Sequence, residues 1–378
     1  MEDIFVTNGL LDGLHGADSF SEKIEIIHHG INQKFDAIDR ISVVLYDSHM
    51  DILTTFIHSS KENPISFYEC RVENAPSLAK LKELKKARLV NDLMLFREGK
   101  NEHTRAIFDQ GYHSSYSVPM FGGKSFLGVI FFNSYQTHAF TPEILFQLNL
   151  FAQLINSLIL NKLQATRMLV GAFKSALNLV SYKDPETGNH LERMARYSRL
   201  IAQGLARAGD PRFTDELIEH LFLFAPLHDI GKIGIPDNIL LKPAKLDDAE
   251  WKIMQTHSAI GRDIVDTIAD QIGLEGFEHI QLLRNISESH HETIDGNGYP
   301  NRLKNDEIAI ETQIVAVADI FDALTSKRPY KDAWTNAAAL DELKKLSGAK
   351  VNVDCVNILM QQTQAVEQIQ NQFRDDFC

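Results

Sequence analysis

The spacing of apolar positions changes character along this chain. Between residue 20 and about residue 140, short β-branched and aromatic runs alternate with turn residues: ISVVLY from Ile41 and LTTFI from Leu53 are separated by the polar stretch 47–51. YSVPM from Tyr116 and SFLGVIFF from Ser125 flank Phe-Gly-Gly-Lys at 121–124, a pattern that predicts a hairpin. Helical periodicity beginning at Lys23 precedes the first strand. His28 and His29 fall in that helix, where neighbours point about 100° apart, so they make a poor metal pair.

From Thr141, with Pro142 suited to a first helical turn, the period becomes that of one long helix reaching about Val180. Ile144, Leu148, Phe151, Ile155 and Leu158 step by four and three, and Leu169, Phe173, Leu177 and Val180 resume the stripe after Lys162 and Ala165. A helix of ~40 residues exceeds what one globular domain usually buries, so Leu148, Phe151, Ile155 and Leu158 are expected to form the seam of a parallel homodimer coiled coil. Beyond it, periodic segments at 198–205, 216–221 and 315–324 are separated by loops rich in Gly and Pro. They predict an all-α bundle of about seven or eight helices. The expected organisation is a multidomain chain: an α+β domain over 1–145, a linking helix over 146–182, and the helical bundle over 183–378.

Composition narrows the function without naming it. With 44% hydrophobic and 24% charged residues the chain is ordinary globular protein. A formal net charge of −13 argues against a nucleic-acid polymer as partner, since such binding needs a basic surface. The first residues, Met1 to Phe5, have no basic and apolar signal pattern, and no uninterrupted apolar run approaches the length of a membrane span, so a cytoplasmic location without membrane insertion is expected. Cys70, Cys355 and Cys378 are far apart and read as isolated thiols.

The chemistry concentrates in the second half. Glu186, His190, His228, Asp229, His257, His290, His291 and Asp319 supply five imidazoles and three carboxylates with no thiolate. That is more than one ion needs, and it suits two or three divalent ions sharing carboxylates, with iron or manganese fitting better than structural zinc. Asp229 has two oxygens where an imidazole has one free nitrogen, so it is the residue expected to bridge ions while His228 binds one. Adjacent His290 and His291 cannot share a helical face and are expected to serve different ions. Asp319 lies in an apolar helix, where a metal would compensate its charge.

The order and context of these residues resemble the HD-GYP family of bacterial cyclic-di-GMP phosphodiesterases. The matching pieces are DPETGNHLER from Asp184, HDIGKIGIPDNILLKPAKL from His228, THSAIG from Thr256, HHETIDGNGYP from His290 and VAVADIFDALTSKRPYKDAW from Val315. Five motifs in order over roughly residues 165–365 are a specific signal. The first half is similar to a GAF domain in the order of its elements, through the hairpin and the long helix that follows it.

The resemblance implies hydrolysis of cyclic-di-GMP to pGpG and on to GMP after a second cut, under control of the GAF-like sensor domain. It implies that Glu186 equips the site for a third metal, that Lys232, Arg328 and Lys331 contact the phosphates, and that the loop holding Tyr299 forms the active-site rim and a contact for diguanylate cyclase domains. Lys232 is expected to stabilise the phosphate or protonate the leaving oxygen, beside Asp229 as the other catalytic residue. Tyr299 is expected to stack on or hydrogen-bond the substrate, and Asp322, three residues beyond Asp319, either to accept from a guanine edge or to pair with a nearby cation. The alternative is a catalytically weak cyclic-dinucleotide receptor acting through protein contacts; it would be marked by a missing ligand, and none is missing. Thr293-Ile294, Ala244 and Val351-Asn352-Val353 depart from the usual pattern without removing a ligand. An effector for the first domain and a preference among cyclic dinucleotides are not legible.

Overall fold

A computed structural model describes residues 9–17, 19–60, 69–96, 102–181, 188–272, 280–326 and 332–374. The chain divides into two compact units, Met1–Ala165 and Thr166–Cys378.

The first unit is an α+β domain. Strands β1 (Arg40–Asp47), β2 (Ile52–His58), β3 (Glu69–Arg71), β4 (Arg88–Val90), β5 (Ser114–Gly122) and β6 (Ser125–Ser134) form one antiparallel sheet in the order β3-β2-β1-β6-β5-β4. The expected hairpin is β5–β6, closed at Gly122 opposite Ser125. Strand alternation divides the core in two. Ile41, Val43, Ile130 and Phe132 pack with helix α2 (Phe20–Phe35) and the start of α5 (Pro142–Ser181). Val44, Val129 and Phe131 face the other way, onto Leu78 and Leu81 of α3 (Pro76–Leu84). Helices α1 (Gly9–Gly16) and α4 (Glu102–Asp109) complete the unit. His28 bonds the Ile38 carbonyl and Asn32, and His29 bonds Gln33, so neither is a metal donor pair.

Helix α5 is 40 residues long, as the pattern predicts, but its stripe is used differently. Ile144, Leu148, Ala152, Ile155, Ile159 and Leu163 are buried against the sheet of their own unit. Leu148 and Ile155 are both 0% exposed, which corrects the expectation that they form a dimer seam. The physical reason is that a large apolar sheet face stands next to the helix and takes the most apolar stripe for itself. Phe146 and Leu150, on another side of the helix, are 65% and 57% exposed. The side chains of Ala165, Leu169, Phe173, Leu177 and Val180 lie outside the described residues. One stretch, Pro142–Gln164, is long and apolar enough to cross a membrane by length and composition, and here one of its faces is this core.

The second unit is helical. Its helices are α6 (Gly188–Arg207), α7 (Asp215–Phe224), α8 (Asp237–Leu240), α9 (Asp248–Gln255), α10 (His257–Ile272), α11 (Ile280–Ser289), α12 (Ile310–Thr325), α13 (Asn336–Leu346), α14 (Val353–Gln361) and α15 (Thr363–Gln372). These exceed the seven or eight expected, because a single turn such as α8 is too short to show a period. Helix α6 is central, packing against α7, α12 and α14, with Tyr197 edge-on to Phe321. Asn352, one of the departures from the family pattern, caps α14 by accepting from the backbone N–H of Asp354 and Cys355.

Candidate metal centre

Each ligand candidate stands at a helix end or on an inward helical face. His190 projects from the first turn of α6, and His257 opens α10. His290 and His291 follow the end of α11, and Asp319 lies within α12. His228 and Asp229 sit between two 3-10 turns, Ala225–Leu227 and Ile230–Gly234, rather than at a regular helix end. The second turn packs tightly on α10: a Cβ at Gly231 would lie 1.8 Å from the His257 carbonyl oxygen. Any larger residue there would push Asp229 away from His257.

The side chains fall into two groups whose donor atoms lie within 4.8 Å of one another: Asp229, His257, His290 and His291 form one, and His190, His228 and Asp319 the other. Asp229 joins them. Its Oδ1 is 3.3 Å from His257 Nε2 and 3.6 Å from His290 Nε2, while Oδ2 is 3.1 Å from His228 Nε2. Asp319 Oδ1 is 4.0 Å from Nε2 of both His190 and His228.

The backs of the imidazoles are fixed. Nδ1 of His228, His257 and His290 bonds the carbonyl oxygens of Ala225, Met254 and Ile286 at 3.0, 2.7 and 3.0 Å. Each Nε2 is thereby left to face the cluster, the arrangement in which a histidine binds metal. His228 Nε2 and Asp229 Oδ1 are buried without a hydrogen-bond partner, a costly state that a cation would relieve.

The electrostatics agree. Burial opposes charge on His228, but Asp229 and Asp319 outweigh it and hold the imidazole up at about 9. Burial also opposes charge on Asp229, and Lys232 and His228 overcome it, holding the carboxyl well below its usual range. His257 is pushed down to about 4 and His291 well below its ordinary value, both chiefly by burial, so both are neutral donors at physiological pH. These residues fit two ions sharing Asp229.

Lys232 is held by the 3-10 turn with Nζ 2.8 Å from Asp229 Oδ2, at the edge of the cluster. Tyr299 packs over His291, ring centroids 4.7 Å apart, and is half-buried. Its loop is anchored at Gly298 and by Glu292. A Cβ at Gly298 would come within 2.4 Å of the Thr293 nitrogen, and the Glu292 carboxylate accepts from the backbone N–H of Asn301 and Leu303 at 2.6 and 3.0 Å. Glu292 thus ties the loop to the His290-His291 turn.

Asp322 is a correction of the guanine-edge expectation. It is 1% exposed, and its oxygens are taken by His190 Nδ1 (2.8 Å), Arg193 Nε (2.6 Å) and Nη2 (3.0 Å), and the Ser326 hydroxyl (3.0 Å). Asp322 lies one turn beyond Asp319 on α12, and its side chain points into the bundle. Asp322 therefore orients His190, and Arg193 in turn holds Asp322. The signal for Arg193 was present three residues after His190, on the same helical face. Glu186, Arg328 and Lys331 lie outside the described residues.

The model of a family described as HD domain matches residues 175–354, the stretch that holds this inward cluster. The chain is 40% identical over 194 residues to "Cyclic di-GMP phosphodiesterase response regulator RpfG" of Xanthomonas campestris pv. campestris, covering 51% of this chain and 48% of the relative. It is 38% identical over 201 residues to a "Cyclic di-GMP phosphodiesterase" of Thermotoga maritima, covering 53% and 51%. It is also 40% identical over 186 residues to "3'3'-cGAMP-specific phosphodiesterase 2" of Vibrio cholerae, covering 49% and 33%. The chain thus spans about half or less of the length of these relatives. Similar solved structures include Bd1817, an HDG"Y"P protein from Bdellovibrio bacteriovorus, with TM-score 0.36, 20% identity and coverage of 53% of this chain and 62% of that one. They also include the GAF domain of a phosphoenolpyruvate-protein phosphotransferase from Coxiella burnetii, with TM-score 0.33, 13% identity and coverage of 43% and 92%.

Proposed function

We propose that this protein is a metal-dependent phosphodiesterase that hydrolyses cyclic-di-GMP to pGpG, and to GMP after a second cut, under the control of its N-terminal unit. The observation that carries this reading is Asp229, whose two oxygens face two groups of neutral or cation-seeking donors at once. Divalent ions bound there, iron or manganese by donor chemistry, lower the pKa of water and neutralise charge developing on a phosphoryl group. Around them the chain's own residues act on the substrate. Lys232 places a cation beside the position of the phosphate and can deliver a proton to the leaving 3′ oxygen. Tyr299 forms the wall over His291. Arg328 and Lys331 contact the phosphates, as the resemblance of their motif implies. Glu186 provides for a third ion beside His190.

The curated relatives support a cyclic dinucleotide as the substrate class, their names covering both cyclic di-GMP and 3'3'-cGAMP. A homodimer and a diguanylate cyclase partner at the Tyr299 loop complete the proposed signalling role. The test is anaerobic incubation of the Mn(II)- or Fe(II)-loaded protein with cyclic-di-GMP, and separately with 3'3'-cGAMP, with products separated by chromatography. Appearance of pGpG is expected; tight binding with no product would instead favour the receptor reading.

A further inference from the structure

Aromatic side chains continue outward from the metal centre beyond what its ligands require. The Tyr299 ring lies against His291, and Trp251 meets Tyr299 edge to face, with centroids 6.4 Å apart and planes at 80°. Trp251 is nonetheless 48% exposed. It stands on α9, none of whose residues is buried and whose main packing neighbours are α8 and α10. The helix is still fixed in place. Asp247 and Glu250 form a capping box at its start, and Glu250 also pairs with Lys242.

An indole left half open to water at this position costs solvation that a core position would recover. Ile233, Leu241 and Ile253 from the same excursion are also exposed, at 45%, 38% and 41%. The excursion between Lys232 and His257 therefore presents apolar surface beside the cluster of candidate metal ligands. A nucleotide has both characters: its phosphate is anionic, and its base offers a flat face that stacks on aromatic rings.

We propose that Trp251 is a substrate-binding residue on which one guanine base of the cyclic dinucleotide stacks, in the angle between the Trp251 and Tyr299 rings. This rests on the cyclic-dinucleotide reading above and adds to it a residue that sets base recognition. The stack leaves the reacting phosphate to the ions and to Lys232, so Trp251 governs affinity and not the chemical step.

The chain contains two tryptophans, which makes the idea directly readable. The other, Trp334, lines a separate cavity with Arg193, Ser326 and Phe373, so the full-length Mn(II)-loaded protein carrying Trp334→Phe reports Trp251 alone. Titration with a non-hydrolysable phosphorothioate analogue of cyclic-di-GMP should quench its emission at the concentrations at which calorimetry shows binding. Trp251→Ala should weaken binding and raise KM about 5- to 150-fold, with kcat and metal content held, and Trp251→Phe should restore most of the affinity. Calorimetric binding without quenching, or an alanine variant that binds as tightly as its parent, would overturn the stacking role and leave the phosphodiesterase reading intact. Loss of metal from Trp251→Ala would likewise overturn it in favour of structural support. A parent that neither binds the analogue nor cleaves cyclic-di-GMP would remove both.

Discussion

Both units of this protein bury polar side chains, yet among the described residues only the second gathers them into a cluster of converging donors. In the first unit buried polar groups meet in local pairs: Ser115 donates to Asn133 Oδ1 at 2.8 Å between β5 and β6, and Arg40 donates to Ser42 at 2.9 Å within β1. In the second, backbone carbonyls hold the outer nitrogens of three histidines while every inner nitrogen faces one carboxylate. Burial of polar groups is therefore not the mark of function. Convergence of donors whose free atoms share a point is, because such an arrangement is costly unless something binds.

The sharpest way to break this comparison is Asp229→Ala. Removing the shared carboxylate should reduce hydrolysis of cyclic-di-GMP to background, a loss of more than about a thousandfold if the ions carry the chemistry. Elemental analysis of the same sample should show metal content falling with it. Retained turnover would detach catalysis from the cluster.

A second large effect belongs to the first unit. Ile155 is fully buried against the sheet, so Ile155→Asp should destabilise that unit by more than about 4 kcal/mol. Calorimetry of the full chain should show the first unit melting early while the metal-loaded second unit melts as before. A variant with an unshifted first transition would return Ile155 to a surface role.

Arg193 and Asp322 sharpen the comparison from the other side, since they form a buried ion pair that also holds His190, a candidate metal ligand. Asp322→Asn should weaken metal binding about 10- to 100-fold by releasing the His190 ring. The check is a metal titration alongside thermal unfolding of the metal-free protein. A change confined to unfolding would make the pair purely structural.

What the sequence disclosed follows the same division. Strands and the long helix were legible because periods of two and 3.6 report which residues face a core. The side chains that cluster were legible because their residue types are restricted by donor chemistry and their motifs by local turns, such as the Gly231 contact with α10. Choice between competing partners was not legible. The α5 stripe fits a second helix or a sheet equally well by period, and Asp322 fits a base edge or a histidine equally well by residue type. Both were decided by tertiary neighbours distant in sequence: the sheet in one case, His190 and Arg193 in the other. Arg193 shares a helical face with His190, but its partner Asp322 is 129 residues away, and Glu292 bonds backbone N–H groups of the loop that follows it, contacts that residue type alone does not announce.

The smallest expected effect on stability bears on assembly. With Leu148 and Ile155 committed to the core, a dimer built on α5 between Pro142 and Leu163 would use the face that carries Phe146 and Leu150, which are 65% and 57% exposed. Exposed residues of that kind contribute little to folding of the unit, so Phe146→Asp with Leu150→Asp should change its unfolding free energy by no more than about 0.5 kcal/mol per site. At a dimer interface the same charges would be buried without partners and should oppose association strongly. Sedimentation velocity of the double variant beside the parent separates these cases. A dimeric parent and a monomeric variant with unchanged melting would assign the seam to this face. A variant as dimeric as its parent would place the interface elsewhere in the chain, and α5 would then be a core helix of the first unit up to Leu163 and nothing more along that length.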